Sequence, residues 1–244
     1  MSFKRNEKLR ALALSSRPQG ESHRLVALLC EDGRYTLGIA HGVRKPGSRF
    51  AAALEPASLS LVSIRRSRAD GLASLADAEL IEPFARIKEE LKGLEAVFEF
   101  LSLVQYVCRY DSGDTELFAR ALELLRFVNA DTDAIPVFLP LARVMALRHL
   151  GRMPDTVHCN GCRERPPDRM TAAGAFCAVC QEALGGSFRP YPEELRQLLL
   201  AIGQGMIPAK DAPWIVLNDL LKWLIEVQDE GIPGTRNAQQ NRVR

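Results

Sequence analysis

Four of the six cysteines fall in one short stretch as two Cys-x-x-Cys pairs, Cys159 with Cys162 and Cys177 with Cys180, fourteen residues apart. A gap of two residues lets the chain turn back so that both thiolates of a pair face one point. Two such knuckles complete a tetrahedron around Zn2+. Gly161 suits a tight turn, and Pro166, Pro167 and Gly174 mark the connection as a loop or short ribbon. Paired thiols can also serve as a redox dithiol or a disulfide framework. A thioredoxin-like dithiol needs a βαβ context that the sequence lacks, and a chain of 244 residues needs no covalent staples. The spacing therefore predicts one structural zinc held by Cys159, Cys162, Cys177 and Cys180. His158 adjoins Cys159 and would distort the knuckle, so it is not counted as a ligand.

A shell of four thiolates leaves no open position for an activated water. None of His23, His41, His149 and His158 is followed two residues later by Glu, as a zinc deaminase requires. No P-loop, His-Glu-x-x-His or Gly-x-Ser-x-Gly occurs. The expectation is a protein that is not an enzyme and takes no small-molecule substrate.

The elements that must position these residues divide the chain. KLRALALSS, SHRLVALLC, RYTLGIAHG, ASLSLVSIR and GLASLADAEL alternate or form short apolar runs between turn-rich segments. Five strands in about 70 residues predict a small closed sheet, with an OB-like barrel the natural candidate and an SH3-like barrel fitting nearly as well. After Glu82 the period changes to 3.6. PFARIKEELKGLEAVFEFLSLVQYVCRY predicts a helix burying Leu91, Leu94, Val97, Phe98, Leu101 and either Val104 or Gln105, followed by DTELFARALELLRFVNA and DAIPVFLPLARVMALRHLG. Beyond the cysteines, YPEELRQLLLAIGQG and DAPWIVLNDLLKWLIEVQDEG predict two more helices. In the second, Trp214, Trp223, Leu217, Leu220, Leu221 and Leu224 are expected in the core.

The fold class expected is α+β and multi-domain: an N-terminal OB-fold β-barrel, then an α-helical bundle carrying an inserted four-cysteine zinc ribbon. The boundaries read as 1–80 for the barrel, 81–150 and 188–230 for the two parts of the helical domain, 151–187 for the zinc insertion and 231–244 for a flexible tail. MSFKRNEKLR lacks an apolar run, and no stretch reaches 18 uncharged apolar residues. Neither a secretory signal nor a membrane span is therefore expected, and the setting expected is cytoplasmic.

Charge is unevenly spread. Residues 1–80 carry 13 Lys and Arg against 8 Asp and Glu, whereas 81–150 carry 8 against 11. Within 34–68, Arg34, Arg44, Lys45, Arg49, Arg65, Arg66 and Arg68 face Glu55 alone. Such clustering is the footprint of phosphate binding. In GVRKPGSRF, Gly42, Gly47 and Ser48 stand among three cations, so backbone amides and a hydroxyl can approach phosphate oxygens beside the guanidinium groups. Tyr35 and Phe50 are the aromatic residues of this region, so weak base preference is expected.

GVRKPGSRF followed by LEP, the earlier ESHRLVALLCEDG, and HLGRMPDTVHCNGC leading into the cysteines together resemble the RecO family of bacterial recombination mediators. The resemblance runs along nearly the whole chain. It implies an OB fold, binding of single- and double-stranded DNA, strand annealing, and action with RecR and single-stranded DNA-binding protein to load RecA, in the cytoplasm at the nucleoid. It places Arg44, Lys45, Ser48 and Arg49 on the DNA-binding surface and makes the four cysteines zinc ligands. Arg34, Arg65, Arg66 and Arg68 join that surface on the charge argument. One departure is Arg163, where the family often has glycine after the second cysteine. The alternative reading is a zinc-containing helical scaffold for protein interaction whose basic surface is secondary.

Overall fold

In the computed structural model, residues 5–43, 50–66, 72–109, 114–209 and 211–230 are described. Five strands open the chain: β1 (Arg5–Gln19), β2 (His23–Cys30), β3 (Tyr35–Ala40), then a helical turn α1 (Phe50–Ala53), and β4 (Leu59–Arg66) and β5 (Ala73–Glu82). They close into a barrel in the order β1-β2-β3-β5-β4. The closure depends on the length of β1. Its first part pairs with β4 from Arg5↔Arg66 to Leu12↔Leu59, and its second part with β2 from Ala11↔Cys30 to Gln19↔His23. A register shift between Ala13 and Ser15 bends the strand between these two duties. The last seam is parallel, Gly38↔Ala73 to Ala40↔Leu75. Of the two small barrels the alternation allowed, this is the OB-type one.

Alternation sends Ala11, Ala13, Val26, Leu28, Cys30, Ala40, Val62, Ile64, Ala73 and Leu75 into the barrel interior. The outer side is not uniformly wet. From Leu25 to Cys30 every residue of β2 is buried, and α2 (Leu91–Val107) packs against β1. Phe84, fully buried, leads from β5 into a 3-10 turn at Arg86–Lys88. That turn is tied to α3 (Thr115–Ala130): Arg86 Nη1 donates to the Ala130 carbonyl at 2.8 Å, and the Ile87 N–H to Asn129 Oδ1 at 3.3 Å. Asp114 caps α3, accepting the Glu116 N–H at 2.7 Å.

The face that α2 buries differs from the one expected. Gly93, Ala96, Val97, Phe100, Leu101, Val104 and Val107 are buried, while Leu91 and Phe98 are exposed. Gly93 explains the rotation, because a Cβ there would stand 2.0 Å from the Ile87 carbonyl oxygen. The helix meets the 3-10 turn at its smallest residue, and the apolar stripe turns with it.

The chain divides into two compact units, Met1–Phe138 and Leu139–Arg244, the division falling inside α4 (Ile135–His149). The second unit holds two short strands, β6 (Arg169–Thr171) and β7 (Gly174–Phe176), then α5 (Ala178–Leu184), β8 (Arg189–Pro190), α6 (Glu193–Gly203) and α7 (Trp214–Glu230). Its core takes Trp214, Leu217, Leu220, Leu221 and Leu224 from α7 and Leu195, Leu198 and Leu199 from α6. Trp223 is half-buried, with Arg189 5.6 Å from its ring centroid. Arg143 of α4 is buried and donates to Asn218 of α7; Arg148 donates to the Gly203 carbonyl at 2.8 Å. The segment 231–244, expected as a tail, lies outside the described residues. No described helix is long and apolar enough to cross a membrane.

Candidate metal centre and nucleic-acid surface

The first knuckle is a backbone turn whose hydrogen bonds are nearly all accounted for. The Cys159 N–H donates to the Arg165 carbonyl at 2.8 Å, and the Arg163 N–H to the Cys159 carbonyl at 3.0 Å. Asn160 ties the turn to β7 by donating to the Ala175 carbonyl at 2.9 Å. The second knuckle begins where β7 ends. Cys177 is the residue before α5, and Cys180 lies in the first turn of that helix. The hairpin of β6 and β7 therefore fixes where one pair stands relative to the other. The helix α5 is not legible from the spacing of its apolar residues, since Val179 and Leu184 are exposed.

The four Sγ atoms lie within 4.8 Å of one another, and Cys162 Sγ is 3.9 Å from Cys177 Sγ. A tetrahedral ion with bonds of about 2.3 Å to sulfur needs sulfurs about 3.8 Å apart, so these thiols fit one ion. Among the described residues no other cluster of three or more metal-ligating side chains occurs. Cys159 and Cys177 are buried, whereas Cys162 and Cys180 are half-buried.

Backbone donors prepare the site for charge. Gly161 and Cys177 direct N–H groups at Cys159 Sγ, at 3.3 and 3.2 Å. Burial alone works against a Cys159 thiolate, but the N–H groups of Cys177, Cys162 and Gly161 outweigh it and bring its pKa down to about 6. The N–H groups of Glu164 and Arg165 lower Cys162. Cys180 is pushed up to about 12, chiefly by its contact with the Cys177 thiol and then by burial.

Two positions in the first knuckle have backbone demands that differ from those expected. Gly161 is there for closeness: a Cβ on it would lie 2.9 Å from both Cβ and Sγ of Cys180. The left-handed residue of the turn is Arg163, with φ of 61°. Sequence reasoning also missed Asp155. Its Oδ1 accepts the N–H groups of Val157 and His158, each at 2.8 Å, and its Oδ2 meets Arg163 Nη1 at 3.3 Å. The signal was present, since an Asp a few residues before a turn is a ready local acceptor.

The basic residues of the barrel are placed unevenly. Arg65 is exposed on β4, opposite Ser74 of β5. Arg66 ends β4 opposite Arg5. Arg34 is engaged within the barrel: Nε donates to Asp32 Oδ2 at 2.6 Å, and Nη2 meets both Asp32 and Glu7. Those two carboxylates hold its guanidinium above the ordinary arginine range. Arg44, Lys45, Ser48, Arg49 and Arg68 lie outside the described residues. By chain connection, 44–49 follows β3, and 67–71 joins β4 to β5.

Residues 1–84 match the family model described as Recombination protein O N terminal, and residues 92–233 match Recombination protein O C terminal. The chain belongs to the RecO family. Among its RecO relatives, the DNA repair protein RecO of Myxococcus xanthus (strain DK1622) is 33% identical over 174 residues, which is 70% of each chain. The DNA repair protein RecO of Anaeromyxobacter sp. (strain Fw109-5) is 30% identical over 231 residues, 95% of this chain and 82% of that one. The boundary between the two RecO matches, at 84 and 92, brackets the 3-10 turn that follows the barrel. The likeness of the RecO loop and cysteine segments in the sequence is thus part of a family relation that spans most of the chain. The protein is a RecO-family DNA repair protein with a cysteine cluster able to hold a metal ion.

Proposed function

We propose that the chain is a non-enzymatic DNA-binding protein of recombinational repair that binds single and double strands and promotes annealing of complementary ones. With RecR it would help load RecA onto strands coated by single-stranded DNA-binding protein, in the cytoplasm at the nucleoid. The observation carrying this reading is a closed barrel whose cations cluster in the connections leaving β3 and β4. Arg44, Lys45 and Arg49 belong to the first and Arg68 to the second, with Arg65 and Arg66 at the end of β4 before it. Arg34, held by two carboxylates, adds less net charge than its position suggests.

The mechanism is neutralisation. A cationic face lowers the repulsion between two phosphate backbones, and base pairing then completes the reaction without nucleotide hydrolysis. The ion proposed for Cys159, Cys162, Cys177 and Cys180 is Zn2+, because four thiolates at tetrahedral spacing suit it and supply a closed shell. Its part is to fold the ribbon. Cys159 and Cys177 form the buried side of the shell and Cys162 and Cys180 the outer side.

Reversing the charges at Arg44, Lys45 and Arg49 should abolish annealing of complementary oligonucleotides in nucleotide-free buffer. Retained annealing would remove the barrel reading. Elemental analysis of protein purified under reducing conditions should find one zinc per chain, and its absence would remove the metal assignment.

A scaffold for protein partners is the second reading. It is favoured by Met206, Ile207, Ile215 and Val216, all large, apolar and exposed in the second unit. Under it, the same charge reversal leaves partner capture intact and DNA contributes nothing to activity.

A further inference from the structure

The four clustered thiols are not equally open to water. Cys159 and Cys177 are buried, and Cys159 Sγ also receives the N–H groups of Gly161 and Cys177 at 3.3 and 3.2 Å. Cys180 is half-buried but lies against the first knuckle, so close that a Cβ on Gly161 would stand 2.9 Å from both its Cβ and its Sγ. Cys162 is the half-buried thiol on the outside of the turn. Gly161 before it and Arg163, Glu164, Arg165 and Pro166 after it are all exposed. A small solute arriving from water therefore meets Cys162 first.

Cys162 also has a reaction partner in place. Its Sγ lies 3.9 Å from that of Cys177, which belongs to the other knuckle. A disulfide holds two sulfurs at about 2.05 Å, so closing the gap needs a movement of about 2 Å. Hydrogen bonds that involve no sulfur keep the two knuckles in register. The Asn160 N–H donates to the Ala175 carbonyl at 2.9 Å, and the Asp168 N–H to the Phe176 carbonyl at 3.0 Å.

Resting on the metal reading above, we propose that the ribbon is a peroxide-responsive clasp, in which hydrogen peroxide oxidises Cys162 and Cys177 to a disulfide that releases the ion and itself joins the two knuckles. The Cys162 thiolate attacks the O–O bond, so that an S–O bond forms and hydroxide leaves. The Cys177 thiolate then attacks the sulfenic sulfur of Cys162, the S–S bond forms, and a second hydroxide leaves. Two electrons pass from the two sulfurs to the peroxide. Cys159 and Cys180 remain as thiolates, too few to complete a tetrahedral shell. The ribbon thus has two closed states, one joined through an ion and the other through a covalent bond, and a thiol reductant supplied with the ion restores the first.

The test uses the full chain, purified under reducing conditions and then freed of reductant in the absence of air. Hydrogen peroxide is added in steps, ion release is read with a chromophoric chelator, and the cysteines are mapped by mass spectrometry of a non-reduced digest. About one Zn2+ should be lost for each Cys162–Cys177 disulfide formed, and dithiothreitol with Zn2+ should restore the starting metal content. Cys30 and Cys108, both buried in the first unit, should stay reduced throughout. Release accompanied by any other disulfide, or by sulfinic acids in place of one, overturns the clasp and leaves the metal centre standing. Retention of the ion until Cys30 or Cys108 is oxidised does the same. Protein that carries no metal before peroxide is added overturns the clasp together with the metal reading.

Discussion

Arg163 and Asp155 meet across the first cysteine knuckle, Nη1 to Oδ2 at 3.3 Å, and the two residues make opposite contributions to it. Asp155 satisfies two backbone N–H groups at the entry to the turn. Arg163 occupies left-handed backbone, which costs a residue with a Cβ about 1–2 kcal/mol and a glycine far less. The ion pair that Arg163 gains is exposed on the arginine side and is worth about 0–1 kcal/mol.

Arg163→Gly should therefore bind the metal at least as tightly as the wild-type protein, by up to about 1 kcal/mol. Competition with a chromophoric chelator measures the difference. A variant that loses the metal more readily would show that the Asp155 contact outweighs the backbone strain.

Gly161→Ala should act in the opposite direction. Its Cβ would press on both Cβ and Sγ of Cys180, at 2.9 Å from each, so one knuckle must move away from the other. Misplacing one of four ligands should lower metal affinity about tenfold or more, and chelator competition reads this directly. The barrel lies in the other compact unit, so its own melting transition should be unaffected.

Both results bear on what the sequence could disclose. The cysteine spacing pointed to the four thiols that the structure gathers within 4.8 Å, because bringing thiols together needs little besides two knuckles. It did not distinguish Gly161 from Arg163 as the left-handed residue, because that depends on how closely the second knuckle approaches the first. The strands were legible for a similar reason: barrel-facing residues such as Val26, Leu28, Val62 and Ile64 alternate whatever their partners. The helix face of α2 was not. Leu91 and Phe98 continue a good apolar stripe, yet contact at Gly93 selects a rotated face that spacing alone cannot weigh. The parallel pairing of β3 with β5, Gly38↔Ala73 to Ala40↔Leu75, was also hidden, since it joins strands distant in sequence.

The barrel should lose stability in acid through Glu31. Its carboxylate accepts Arg10 Nε at 2.7 Å and the Arg10 N–H at 3.0 Å. The Arg10 side chain first, and its backbone N–H next, hold the Glu31 carboxyl below the usual carboxylate range. A depressed carboxylate contributes stability that is fully present above its unfolded pKa of about 4.3 and disappears as pH falls through the lower folded value. Glu31→Gln should lower the melting temperature of the barrel at pH 7 and flatten the fall between about pH 5 and 3. The loss at neutral pH should be about 1 kcal/mol or less, because the pair is partly exposed. A variant with an unchanged acid limb would exclude Glu31 from the acid response.

Salt dependence of DNA binding separates the two cationic regions. If Arg44, Lys45, Arg49 and one further cation neutralise about four phosphates, log K against log salt should have a slope of about −3 for single strands and about −3.6 for duplex. Replacing Arg44, Lys45 and Arg49 together should make the slope shallower by about two to three units. All sequences should weaken alike, because phosphate contacts carry no base information. Arg163, Arg165 and Arg169 of the ribbon supply a matched control. Arg163 meets Asp155, and Arg169 lies between Asp168, Glu182 and the Phe188 ring, so two of these three charges already have local partners. Their joint replacement should change the slope by less than one unit. A ribbon variant that loses most of the salt-sensitive affinity while the loop variant keeps it would move the DNA-binding surface from the barrel to the cysteine ribbon.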